Sequence, residues 1–197
     1  MQTVVLGSTS VYRKSILDKL NISFECAKPN IDESPLENET PQALVERLAI
    51  EKAKAVAHSY NNALIIGSDQ VAVCDNIILG KPHNFDNAVK QLSQFSNKCV
   101  TFYTGLAVLN CQTNQVHSLV EPFEVHFNEL TQNEISKYLL VEEPYNCAGS
   151  FKSEGLGICL FKKLVGDDPN TLIGLPLIKL IDLLKKHGYI VLDNQQS

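Results

Sequence analysis

Apolar runs with strand character alternate with amphipathic helical stretches along this chain, and the connections between them are short. That alternation is the strongest constraint on its fold. Thr3–Gly7 reads as a buried strand, followed by a helix capped by Ser10 and running to about Leu20. Ser23–Ala27 reads as a short strand and Lys28–Glu39 as a polar loop. Thr40 and Pro41 then open a helix to about His58. Ala63–Cys74 and Val100–Leu109 read as strands, separated by a helix capped by Asn84 that ends at Phe95. Phe123, Val125 and Phe127 alternate with Glu124, His126 and Asn128, the pattern of a half-buried strand. A capping box at Thr131 and Glu134 starts a helix to about Leu140, Leu156–Leu164 reads as a strand, and Pro176 begins a last helix ending near Gly188. The expected fold is α/β, with a central mixed, twisted sheet flanked by helices.

At 197 residues, with 44% hydrophobic and 20% charged side chains, the chain has the composition of an ordinary globular protein. Nothing rich enough to act as a linker divides it, so residues 1–193 are expected to form one domain and 194–197 a loose tail. Seventeen basic residues against 22 acidic ones leave a net charge of −5, which argues against a general clamp for a nucleic-acid polymer. No apolar stretch approaches the roughly 20 residues of a membrane-spanning helix, and the first residues lack the charged start of a signal peptide. The six cysteines are scattered, without a CxxC pair or a histidine at zinc-ligand spacing. They read as reduced thiols of a cytoplasmic protein. The five histidines are dispersed, and His58, His117 and His187 fall in segments that read as surface.

Three places carry polar groups that packing alone would not choose. The first is the joint from Gly7 to Lys14, where Ser8, Thr9 and Ser10 lead into a helix whose first turn holds Arg13 and Lys14. Cations there oppose the helix dipole, and a bound phosphate would resolve the conflict; two solvated surface cations are the alternative. The second is Lys52, aligned with Val45, Ala49 and Val56 on the apolar stripe of its helix. It must either snorkel to water or meet a buried or bound anion. The third is Asp69, followed by Gln70, inside the run Ile65–Val73. A carboxylate there costs several kcal/mol unless it is paired or metal-bound, or unless the strand ends at an exposed turn. Lys81 in the turn Gly80–Pro82 and Glu33 in the first long loop complete the inventory. Cations to hold phosphate oxygens, with carboxylates to hold a hard divalent ion and to orient or deprotonate water, suit metal-assisted attack on a polyphosphate.

The motifs Leu6-Gly7-Ser8-Thr9-Ser10-x-x-Arg13-Lys14, Ile31-Asp32-Glu33, Arg47-Leu48-Ala49-x-x-Lys52-Ala53 and Gly67-Ser68-Asp69-Gln70-Val71 resemble those of the Maf-like nucleoside triphosphate pyrophosphatases. So do Leu79-Gly80-Lys81-Pro82, Tyr103-Thr104-Gly105, Ala148-Gly149-Ser150-Phe151 and Gly174-Leu175-Pro176-Leu177, in order along nearly the whole chain. The resemblance implies two lobes around an active-site cleft and a cytoplasmic enzyme, often a homodimer. It also implies cleavage of a nucleoside triphosphate between its α and β phosphates with a divalent cation, magnesium or manganese. Asp69 is then the proton acceptor and, with Glu33, a metal ligand, while Ser8, Arg13, Lys14, Lys52 and Lys81 contact phosphates. Tyr12, Gln70 and Glu154 occupy the positions that separate the family's branches. They resemble the branch acting on 7-methyl-GTP rather than the one acting on dTTP and UTP, with its Arg, Thr and Gln. A cationic N7-methylguanine suits an aromatic face at Tyr12 and a carboxylate at Glu154. The alternatives are a dTTP/UTP pyrophosphatase with a diverged pocket and a nucleotide-binding regulator of cell division. Gly7 and Val11 depart from the family's usual alanine and proline.

Overall fold

The computed structural model describes residues 2–195. In chain order the elements are β1 (Thr3–Leu6), α1 (Val11–Leu17), β2 (Phe24–Cys26), α2 (Pro41–Ala57), β3 (Ala63–Cys74), β4 (Ile77–Leu79) and α3 (Phe85–Phe95). They continue with β5 (Cys99–Asn110), β6 (Gln115–Phe127), α4 (Gln132–Glu142), β7 (Phe161–Val165), α5 (Asn170–Ile173) and α6 (Leu177–Lys186). The strands form a seven-stranded sheet in the order β2-β1-β3-β5-β6-β7, with β4 paired to β3. Strand β1 runs parallel to β2 and β3, while β4 and β7 are antiparallel to their partners, so the sheet is mixed as expected. None of the described helices is long and apolar enough to cross a membrane.

The chain forms two compact units, the first from residues 1–70, 104–121 and 168–197, the second from 71–103 and 122–167. In the first unit the strand pleat sorts side chains to two faces. Val4, Leu6, Leu64, Ile66, Leu106 and Val108 point to one, where α1 and α6 cover them with Ile16, Leu17, Leu177, Leu180 and Leu184. Val5, Ala63, Ile65 and Leu109 point to the other, covered by Ala53 and Val56 of α2. The second unit is built around phenylalanines, with Phe127 packed at 5.3–5.6 Å against Phe95, Phe151 and Phe161.

Most elements match their expected places, and the differences have local causes. The first helix is α-helical only to Leu17 and ends in a 3-10 turn over Asp18–Leu20. The segment expected as a strand from Leu156 is a 3-10 turn to Leu160, and the strand begins at Phe161. Gly155 and Gly157 both donate backbone N–H groups to the Lys152 carbonyl, which curls the chain before it can extend. Strand β6 starts at Gln115, well before the alternation at Phe123, and runs through Pro122, a residue that ordinarily argues against a strand interior. His117 and His187 do not stand free on the surface: their rings lie 4.7 Å apart, and His187 Nε2 is 3.1 Å from the Val108 carbonyl. Burial lowers the His187 pKa. Of the expected tail, Asn194 closes a 3-10 turn and Gln195 bridges to Ile22; residues 196–197 lie outside the described residues.

Candidate active site

Two glycines set the distance between α2 and the sheet. A Cβ on Gly67 would fall 2.0 Å from the Ala49 carbonyl oxygen, and one on Gly105 would fall 2.0 Å from that of Val45. Only glycine lets the helix backbone rest this closely on β3 and β5. Lys52, one turn beyond Ala49, is thereby held over the strand with only 5% of its surface exposed. Its Nζ donates to Asp69 Oδ1 at 2.6 Å and pairs with Glu33 Oε1 at 3.1 Å. The lysine on the apolar stripe therefore meets a buried anion instead of snorkelling, and that anion is a side chain of the same protein.

Asp69 lies inside β3 at 8% exposure, not at an exposed strand end. Burial raises its pKa above the usual carboxylate range; the charges of Lys52 and Arg13 offset part of the rise, and Glu33 adds to it. The next residue back, Ser68, donates its hydroxyl proton to the Gly174 carbonyl at 2.8 Å, and Arg13 Nε donates to the same oxygen at 2.9 Å. One carbonyl thus fixes the guanidinium, whose charge burial opposes and Asp69 and Glu33 favour. Ser8 is buried, and its Oγ accepts from the Ser10 N–H at 3.1 Å; Ser10 in turn caps α1 through the Arg13 N–H. The loop before the helix is therefore shaped by its own hydroxyls.

Glu33 comes from the exposed first loop, and α2 holds that loop through Arg47. Arg47 Nη2 donates to the Ser34 carbonyl at 3.1 Å, Nε and Nη2 grip Glu39 at 2.6 and 2.7 Å, and Nη1 reaches Glu51 at 3.1 Å. The fork-to-carboxylate geometry holds the Glu39 carboxyl down to about 2, from 4.5. A carboxylate with a depressed folded pKa stabilises above its unfolded value and loses that contribution as pH falls toward the folded one. Thermal unfolding followed from pH 2 to 7 is expected to show wild-type Tm falling from about pH 4.5 downward, with a flatter profile in Glu39→Gln across that window. Equal profiles for the two proteins would contradict the clamp.

The other expected site residues have varied settings. Lys14 is not brought to the Asp69 cluster: its Nζ pairs with Asp18 at 2.9 Å on the surface and lies 5.6 Å from the centre of the Phe24 ring. Tyr12 is 42% exposed at the start of α1. The Gln70 amide is already engaged, donating to Thr104 Oγ1 at 2.8 Å and to the Thr171 carbonyl at 2.7 Å, so it braces the turn that presents Gly174. Lys81 and Glu154 belong to the second unit, both exposed, and both act electrostatically on Cys147. Ser68, the Gly174 carbonyl and the Arg47 clamp were not singled out from the sequence. Each lay in a quoted motif, but a carbonyl acceptor carries no residue-type signal.

Among the described residues, the first unit therefore gathers a buried ammonium, a guanidinium fixed through a backbone carbonyl, and two carboxylates on the same ammonium. This is an α/β protein with a charge cluster on the middle of a core strand, equipped to handle an anion together with a hard cation. The sequence model of the family described as Maf-like protein matches residues 3–187, and the chain belongs to the Maf family. It is 70% identical over 197 residues to a protein of Colwellia psychrerythraea named 7-methyl-GTP pyrophosphatase, covering 100% of this chain and 98% of the relative. Proteins of the same name from Idiomarina loihiensis and Pseudoalteromonas translucida are 60% and 56% identical over 187 and 194 residues. The alignments cover 94% and 98% of this chain, and 94% and 96% of the relatives.

Proposed function

We propose that this protein hydrolyses 7-methyl-GTP to 7-methyl-GMP and diphosphate, removing a modified nucleotide from the cytoplasmic pool. The observation that carries the reading is the buried Asp69 carboxylate held on Lys52 beside Glu33. The name shared by relatives that match nearly the full chain supports the choice of substrate.

In this reading the oxygen of a water molecule attacks the α phosphorus. The bond from that phosphorus to the bridging oxygen breaks, diphosphate leaves, and the proton lost by the water passes to Asp69. The raised pKa of Asp69 brings it closer to the working pH of a general base than an ordinary aspartate. Arg13 and Lys52 supply positive charge where the phosphate oxygens gain negative charge, and a desolvated setting strengthens that attraction. Ser8 contributes to the phosphate loop, and Tyr12 offers an exposed ring face to the cationic base. Glu33 and Asp69 fit a hard divalent ion, because both present carboxylate oxygens to the same cationic group, Lys52 Nζ. Magnesium or manganese held there would supply Lewis-acid stabilisation of phosphate charge.

The test is a panel of 7-methyl-GTP, GTP, dTTP and UTP with magnesium or manganese, scored by diphosphate release. Fastest turnover of 7-methyl-GTP is expected, and removal of the divalent ion by a chelator is expected to abolish it. Faster turnover of dTTP would overturn the substrate assignment, and binding without turnover of any nucleotide would favour a regulator. Lys81→Ala and Glu154→Gln in the same panel test the phosphate and base roles that the family resemblance gives those two residues. Light scattering on the purified protein tests the homodimer that belongs to the same reading.

A further inference from the structure

The second unit holds a cluster of donors that the pyrophosphatase reading does not use. Cys99 opens β5, and Glu124 and His126 lie two apart on the neighbouring strand β6, so the pleat turns both to one face. The Phe127 N–H donates to the Lys98 carbonyl at 2.9 Å, which sets Cys99 alongside His126. Cys99 Sγ is 3.7 Å from His126 Nε2, and that nitrogen is 3.0 Å from Glu124 Oε2. One donor atom from each of the three residues lies within 4.8 Å of the other two.

These separations can be compared with a tetrahedral zinc site. Zinc–sulfur and zinc–nitrogen bonds of about 2.3 and 2.05 Å imply a sulfur–nitrogen edge of about 3.6 Å, and nitrogen and oxygen ligands imply an edge of about 3.4 Å. The thiol and imidazole already stand close to the required edge, and the carboxylate oxygen lies a few tenths of an ångström inside its edge to the nitrogen. Two further observations favour a built site. The β6–β7 register shifts between His126 and Phe127, a local irregularity of the kind that re-aims a side chain. Cys99 and His126 also border a hollow of about 380 Å³ that leaves room for a water as fourth ligand.

We propose that Cys99, Glu124 and His126 form a binding site for a thiophilic divalent cation such as zinc, separate in sequence and in donor chemistry from the Asp69 cluster. A thiolate and a carboxylate neutralise the two charges of the ion, and the imidazole completes a borderline-soft donor set that selects zinc over magnesium. Lysines line the same hollow. Lys98 is already paired with Asp75 at 2.6 Å, and Lys162 and Lys163 contribute exposed ammonium groups at the rim. The cysteine and the histidine are 27 residues apart. No spacing rule for zinc ligands would find them, because strand pairing brings them together.

The experiment uses the full chain, reduced and stripped of metal, titrated with Co²⁺ in the absence of nucleotide. One equivalent is expected to produce a near-ultraviolet thiolate-to-cobalt band, and one equivalent of Zn²⁺ to bleach it. The oxygen donors at Asp69 and Glu33 give no such band, so the signal is independent of the pyrophosphatase reading. Cys99→Ser is expected to lose the band entirely, and His126→Gln to weaken Co²⁺ binding at least about tenfold. Circular dichroism establishes that each variant is folded, and the two substitutions provide separate routes should one disturb the strand. Absence of the band in the wild type would overturn the proposal, as would a band undiminished in both folded variants.

Discussion

Asp69→Asn is expected to lower diphosphate release from 7-methyl-GTP by about 10²–10⁴-fold, the usual worth of a positioned general base. The substitution keeps the shape and leaves an amide oxygen to accept from Lys52 Nζ, so it removes proton acceptance with little change in packing. The loss is expected in kcat, with KM changed much less, because a base acts in the transition state and contributes little to ground-state binding. The pH profile gives an independent check. Burial raises the Asp69 pKa, so the acid limb of the wild-type profile is expected above the ordinary carboxylate range and is expected to vanish from the residual activity of the variant. The stability sign follows from the same shift. A carboxyl whose folded pKa is raised stabilises below its unfolded value and loses that contribution as pH rises through the folded one. Above about pH 4, Asp69→Asn should therefore remove a decline in Tm that wild type shows. Wild-type kcat retained within about twofold would remove Asp69 from the mechanism.

The sequence made the anomalies legible but not their partners. Lys52 on an apolar stripe and Asp69 in an apolar strand were each visible as residues needing compensation, because period and polarity are local properties of a chain. That they compensate each other depends on how α2 rests on β3. That approach is set by Gly67 and Gly105, and a glycine in a strand does not announce which backbone comes close. The first-turn cations of α1 illustrate the converse. Arg13 and Lys14 are adjacent and looked equivalent, yet a helical step of about 100° sends them apart. Arg13 reaches the Gly174 carbonyl, and Lys14 reaches Asp18 one turn along. Helix caps at Thr40, Asn84 and Thr131 were readable because side-chain capping is short-range chemistry. The 3-10 turn at Leu156–Leu160 was not, since its apolar residues resemble a strand and its conformation follows from bonds to the Lys152 carbonyl.

Lys52→Met tests the cluster from the cation side, and its expected effect on turnover is at least about 10²-fold. Methionine replaces the four-atom apolar stem of lysine and ends one atom short of the ammonium, so helix packing is retained while the charge is lost. Asp69 and Glu33 then face each other without the charge that now lies 2.6 and 3.1 Å from them. Breaking a buried pair by removing one partner commonly costs about 3–5 kcal/mol, because the remaining charge is stranded. Here Asp69 has an escape: its pKa, already raised by burial, rises further once the Lys52 charge that opposes the shift is gone, and the carboxyl takes up a proton. The variant should therefore be nearly as stable as wild type in mild acid and lose Tm more steeply as pH increases, the sign required of a carboxyl whose folded pKa lies above its unfolded one. Its residual activity should show an acid limb moved to higher pH, since a base that holds its proton longer is available only in more alkaline solution. The double variant Lys52→Met/Asp69→Asn removes both charges and is expected to recover at neutral pH most of the Tm that Lys52→Met loses. Thermal unfolding of the four proteins across pH 4–9 measures this coupling directly. If the double variant is no more stable than Lys52→Met at neutral pH, the stranded Asp69 charge is not what destabilises the single variant, and the lysine acts chiefly through packing.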